Sequence, residues 1–245
     1  MSNKYEMLKV KDKADKYYTK KKTIFDLPFK ICLCGKSFLS GKTSVALNLI
    51  IRKTFFGNDF LGENIFIVSN NPADKKIQTL IKAKEIPQSN IMAFDEARLM
   101  ALYQYLEDLF FEETEDGGRP SNKLVYIDDC GYSASLKGGG KDDGFLSLIA
   151  CNGRHINLSS IISIQKYTQL STTYRNNLTG LILFATSQKE LETVMDDHNY
   201  TSDRKKWIEE YRKATREKHS FFVINYSNDA DNRFQDSNFK TIKID

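Results

Sequence analysis

The chain has few cysteines and histidines, no long apolar run and no strong excess of charge. Four cysteines, Cys32, Cys34, Cys130 and Cys151, stand among 245 residues without a C-x-x-C pair. That spacing argues against a zinc ribbon or a disulfide framework and points to core or near-core thiols in a reducing compartment. His155, His198 and His219 do not fall at metal-ligand spacing from the cysteines. No apolar run approaches the ~18 residues of a membrane span. The lysine-rich segment Met1–Lys22 has no apolar signal core, which argues against secretion. A net charge of +4 permits a polyanionic partner without demanding one.

What is present is an alternation of apolar runs and amphipathic segments. Strands are expected at 29–34, 64–69, 90–94, 123–127, 159–164, 180–184 and 221–224, with an edge strand at 239–244. Helices are expected at 43–56, 75–84, 96–113, 145–151, 187–197 and 203–217, with a helical turn near 170–177. Continuous apolar strands separated by helices predict an α/β fold with a mostly parallel sheet covered on both faces. The length suits one large domain, residues 23–245, behind a basic N-terminal extension at 1–22.

Residues 35–43 read G-K-S-F-L-S-G-K-T between an apolar strand and a helix start. That context gives a glycine-containing loop its meaning as a phosphate cradle. The loop is longer than usual, with five residues between Gly35 and Gly41. Gly35, Ser40, Gly41, Lys42, Thr43 and Ser44 are the candidate nucleotide-binding residues. Lys42 would neutralise phosphate, and the hydroxyl of Thr43 would ligate Mg²⁺. Asp128 and Asp129 follow the strand L-V-Y-I, where Asp128 would hold the metal shell and Asp129 would accept a proton from water. Gln165 ends the strand S-I-I-S-I and suits a sensor of the third phosphate. Arg154 and Arg175 are alternative arginines for a neighbouring subunit's nucleotide. Lys137 and Lys141, in a glycine-rich loop, and the patch Arg204, Lys205 and Lys206 are candidate contacts to DNA phosphate. For the patch, a solvated helix face is the competing reading.

Three segments carry a family likeness: G-K-S-F-L-S-G-K-T-S, L-V-Y-I-D-D, and N-G-R-H-I-N-L-S-S-I-I-S-I-Q-K-Y-T-Q-L-S-T-T-Y-R-N-N-L-T-G-L-I-L-F. The first two are general to P-loop ATPases, and the third is more specific. With them the chain resembles the FtsK/HerA superfamily, and within it the viral genome-packaging ATPases of poxviruses, other large DNA viruses and virophages. The resemblance implies an additional-strand P-loop fold and ATP with Mg²⁺. It implies a pentameric or hexameric ring that drives double-stranded DNA into a preformed capsid. Partners at the capsid vertex or portal and a place at cytoplasmic assembly sites of the host cell follow from the same likeness. By it Arg154 looks like the arginine acting in trans, with Arg175 a second basic position. A helicase-like or terminase-like motor, a non-hydrolysing nucleotide-dependent assembly component and a small-molecule kinase are the competing classes.

Overall fold

The computed structural model describes residues 16–21, 24–37, 40–130, 144–198, 201 and 203–244. The candidate DNA contacts Lys137 and Lys141, most of the basic extension, and Phe38 and Leu39 of the phosphate loop lie outside them.

Among the described residues eight strands form one sheet: β1 (Lys30–Cys34), β2 (Ile65–Ser69), β3 (Ile91–Met92), β4 (Lys123–Asp128), β5 (Leu158–Ile164), β6 (Gly180–Phe184), β7 (Phe221–Asn225) and β8 (Phe234–Gln235). Their order is β3-β2-β4-β5-β1-β6-β7-β8. Pairing from β3 to β6 is parallel, and β7 and β8 run antiparallel. The parallel strands other than β3 are buried throughout, which explains why they read as mostly apolar runs.

Among the described residues seven α-helices cover the sheet: α1 (Lys42–Ile51), α2 (Lys75–Lys84), α3 (Glu96–Thr114), α4 (Phe145–Asn152), α5 (Thr172–Asn176), α6 (Gln188–His198) and α7 (Arg204–Ala214). On one face Ala46, Leu49 and Ile50 of α1 and Ile77 and Leu80 of α2 meet Ile31, Leu33 and Ile67. On the other, Leu99 and Leu106 of α3, Phe145 of α4, Leu191 of α6 and Trp207 of α7 meet Cys32, Val125 and Ile162. Cys32, Cys34 and Cys130 are buried free thiols, and Cys151 is exposed. No helix among the described residues is long and apolar enough to cross a membrane.

The strand expected at 90–94 shrinks to Ile91–Met92, the helix expected at 203–217 ends at Ala214, and two further expectations differ more substantially. The first helix ends at Ile51 rather than near Phe56, because Phe55 and Gly57 donate backbone hydrogen bonds to Arg52 O and close a turn. The expected edge strand at 239–244 makes only one isolated bridge, Gln235 to Thr241. Asp236 accepts from the backbone N–H groups of Asn238 and Lys240, which holds that segment in a tight turn. The edge strand is instead the short Phe234–Gln235.

The N-terminal arm docks on the domain. Thr19 bridges Leu27, Tyr18 donates to Asp26, and Lys21 Nζ lies 2.8 Å from Asp59 Oδ1.

Candidate nucleotide site

Register brings the candidate residues into one row. Cys34 at the end of β1 stands opposite Ile164 at the end of β5, and Asp128 of β4 stands opposite Ser163. The phosphate loop, Asp128-Asp129 and Gln165 therefore leave the sheet side by side at its carboxyl edge, where open α/β sheets bind ligands. The strand carrying Gln165 is inserted between the phosphate-loop strand and the acidic strand.

Gly35 continues the β1 ladder by donating to Ile164 O at 3.1 Å. A Cβ there would come within 2.6 Å of Phe184 Cβ, so the loop can leave β1 at this point only with glycine. Gly41 precedes α1 at φ 79°, in the left-handed region, and no side chain caps the helix. By contrast, Asp74, Asp95 and Asp203 cap α2, α3 and α7 with their side chains. The first turn of α1 thus keeps its N–H groups for an anion, with the positive end of the helix dipole behind them.

Lys42 is buried, and its ammonium donates to Gly35 O at 2.6 Å and Ser40 Oγ at 3.3 Å. An ammonium has three donors, so one remains for phosphate. Burial pulls the Lys42 ammonium below its ordinary range, opposed by the charges of Asp129 and Asp128. Thr43 Oγ1 donates to Asp128 Oδ1 at 3.4 Å, and Tyr126 OH donates to the same oxygen at 2.7 Å. Burial raises the Asp128 carboxyl, opposed by the Tyr126 hydrogen bond. One hydroxyl and one carboxylate, both hard oxygen donors, fit Mg²⁺, which takes its other ligands from water and phosphate.

Asp129 has φ 49°, an uncommon conformation for a residue with a side chain. Its Oδ1 accepts from Gln165 Nε2 at 2.9 Å. The backbone twist therefore turns Asp129 toward Gln165, while Asp128 faces Thr43.

Lys42, Thr43, Asp128 and Asp129 line a cavity of about 270 Å³, together with Ser69, Asp74, Lys76 and His219. A second cavity of about 340 Å³ lies across His219, against Ser40, Phe184, Thr186 and Arg216. His219 has φ 69°, and its Nδ1 comes within 3.3 Å of where a Cβ on Gly41 would sit. Ser44 lies inside α1 and does not line either cavity.

The two arginines lie elsewhere. Arg154 is exposed just ahead of β5, and that strand's seven residues separate it from the carboxyl edge by about 20 Å. Arg175 Nη1 pairs with Asp197 Oδ2 at 2.8 Å, and its guanidinium lies 5.1 Å from the Tyr167 ring centroid. Arg204 pairs with Asp196 at 2.9 Å, at the end of α7 away from the second cavity. The backbone N–H groups of Lys205 and Lys206 donate to the capping carboxylate of Asp203.

Lys76 and His219 do not stand out as site residues in the sequence. The signal for Lys76 is the N-N-P-A-D-K-K run, in which an Asp cap puts a lysine in a helix's first turn at a strand's carboxyl end. The signal for His219 is its place just before an apolar strand, informative only once that strand is known to be antiparallel.

Residues 15–237 match the family model of the poxvirus A32 protein. The chain belongs to the poxvirus A32 protein family. The family assignment agrees with the resemblance read from the motifs. No individually curated protein matches the chain. The fold is similar to that of the genome packaging NTPase B204 of Sulfolobus turreted icosahedral virus 2, solved with AMPPCP. That match has a TM-score of 0.53 and 15% identity, over 81% of this chain and 93% of that one. The DNA-packaging ATPase B204 of Sulfolobus turreted icosahedral virus gives a TM-score of 0.52 at 12% identity, over 82% and 94% of the two chains. EssC ATPases 2 and 3 of Geobacillus thermodenitrificans give 0.51 at 14%, over 72% of this chain and 36% of that one. This A32-family chain thus shares its α/β fold with the genome packaging NTPase B204.

Proposed function

We propose that this A32-family chain hydrolyses ATP to drive double-stranded DNA into a preformed viral capsid. The observation that carries the reading is the single row of Lys42, Thr43, Asp128, Asp129 and Gln165 along one sheet edge. The nucleotide-bound structures of B204, a genome packaging NTPase, support it at the level of a shared fold.

In this reading the open N-terminus of α1 and the third donor of Lys42 hold the phosphates. The nucleoside occupies the second cavity beyond His219. Thr43 and Asp128 would hold Mg²⁺, which would offset negative charge on the phosphates. Asp129 accepts a proton from the attacking water as the water oxygen bonds to the γ-phosphorus. The bond from that phosphorus to the bridging oxygen breaks, and ADP leaves. Gln165 holds Asp129 in place and senses the third phosphate. Arg154, at the opposite edge from its own site, serves a neighbouring subunit in a ring, where an arginine screens charge growing in the transition state. Arg204, Lys205 and Lys206, with Lys137 and Lys141, supply sequence-independent, salt-sensitive contacts to DNA. A vertex or portal protein and a cytoplasmic assembly site complete the setting.

The test is phosphate release with and without duplex DNA, alongside displacement of a third strand from a triplex. Stimulation by duplex with triplex displacement supports the reading. Strand separation instead would make the protein a helicase, and no phosphate release would make it a non-hydrolysing component.

A further inference from the structure

Lys76 shares the cavity with Lys42, Asp128 and Asp129 but belongs to a different part of the sheet edge, the connection from β2 to α2. That connection is fixed. Asn71 N donates to Ser69 Oγ at 3.2 Å, and Gln78 Nε2 donates to Pro72 O at 2.8 Å. Asp74 Oδ1 accepts from Lys76 N at 2.8 Å and from Ile77 N at 3.4 Å, so this carboxylate serves the start of α2. The Lys76 side chain is exposed, and its amino group makes no ion pair among the described residues.

Beyond its Asp74 cap the first turn of α2 contains no acidic residue, and a cation there faces the positive end of the helix dipole. An anion in the cavity reverses that cost. Lys76 is the second lysine lining the cavity. Three carboxylates, Asp74, Asp128 and Asp129, line it against two lysines. Lys42 is held beneath the phosphate loop by Gly35 and Ser40, and Lys76 reaches the space from the β2 side, past the Asp128-Asp129 turn.

We infer that Lys76 binds the terminal phosphate of the nucleotide in cis, opposite Lys42, and so sets the preference for triphosphate over diphosphate. This rests on the nucleotide reading of the site. The subunit then carries its own cation on the γ side, and a neighbour's arginine adds to that charge rather than supplying all of it.

The test compares affinities for fluorescent ADP and a fluorescent non-hydrolysable ATP analogue in the full chain, for wild type, Lys76→Ala and Lys76→Arg. A charge-assisted phosphate contact predicts that Lys76→Ala weakens the triphosphate analogue about tenfold with ADP unchanged. Lys76→Arg should restore most of the difference. Equal affinities of wild type and Lys76→Ala for the triphosphate overturn the inference while leaving the nucleotide site standing. So does equal weakening of both nucleotides. A wild-type chain that binds neither nucleotide removes the site and the inference together.

Discussion

Gln165 Nε2 donates to Asp129 Oδ1 at 2.9 Å, tying the end of the inserted strand to the acid beside the phosphate loop. Asp129 reaches that amide from a left-handed backbone, φ 49°. An uncommon conformation of this kind persists where the surroundings over-determine it, and here it aims one carboxylate away from its neighbour. The adjacent aspartates thereby face different partners: Asp128 faces Thr43, and Asp129 faces Gln165.

Asp129→Asn keeps the size of the side chain and an oxygen for Gln165 but cannot take a proton. Its expected effect is a loss of hydrolysis of roughly a hundredfold or more, with ATP affinity nearly unchanged. Gln165→Ala should give a smaller loss by freeing Asp129. Phosphate release together with nucleotide titration checks both. An Asp129→Asn protein that hydrolyses at the parent rate would remove the residue from the reaction.

Asp128 is costly to the fold, and in the proposed reaction it holds the metal. Burial raises its carboxyl above the ordinary 3.8. Between the unfolded value and the raised folded value the native state holds the extra proton, so stability falls as pH rises through that window. Above it the buried charge is a fixed cost. Asp128→Asn, which still accepts from Tyr126, should leave the ligand-free protein as stable as the parent, or about 1 kcal/mol more stable, at neutral pH. Its hydrolysis should be lost. Thermal melting without nucleotide checks the first part, and a melting point several degrees lower would contradict it.

His198 gives the opposite pH dependence. It is buried, accepts or donates at Tyr167 OH, and lies 5.3 Å from the Tyr226 ring. Burial lowers it from 6.5 to about 4, with Asp197 opposing and Arg175 adding. Between those values the unfolded chain binds the extra proton, so stability is lost as pH falls from about 6.5 to about 4. The full loss is roughly 3 kcal/mol. His198→Gln should flatten that slope in denaturant titrations across the window. An unchanged slope would place the acid sensitivity elsewhere.

Much of this architecture is legible in the sequence through local chemistry. Buried parallel strands are mostly apolar, so β1, β2, β4, β5 and β6 appear as runs, and the polar residues Asn70, Asp129 and Gln165 after β2, β4 and β5 mark the carboxyl edge. Gly41, Lys42, Thr43, Asp128 and Gln165 can be read this way. The rest depends on long-range placement. In sequence Gly41 is a matter of loop geometry alone, whereas the His219 ring, far along the chain, also packs on it. The turn at 236–240 removes the alternating segment 239–244 from the sheet by side-chain bonds that alternation does not reveal. Arg154 and Arg175 have similar motif credentials. Only the fold shows that one is exposed at the far edge while the other pairs with Asp197 against Tyr167.

The central claim is that the phosphate loop and the paired aspartates form one Mg·ATP-hydrolysing pocket. Steady-state phosphate release by the wild-type chain and by Lys42→Ala, at saturating ATP and Mg²⁺ with duplex DNA, tests it most directly. The account predicts turnover by the wild type and a loss of at least roughly a hundredfold in Lys42→Ala with the fold intact by circular dichroism. Equal rates for the two proteins would contradict it.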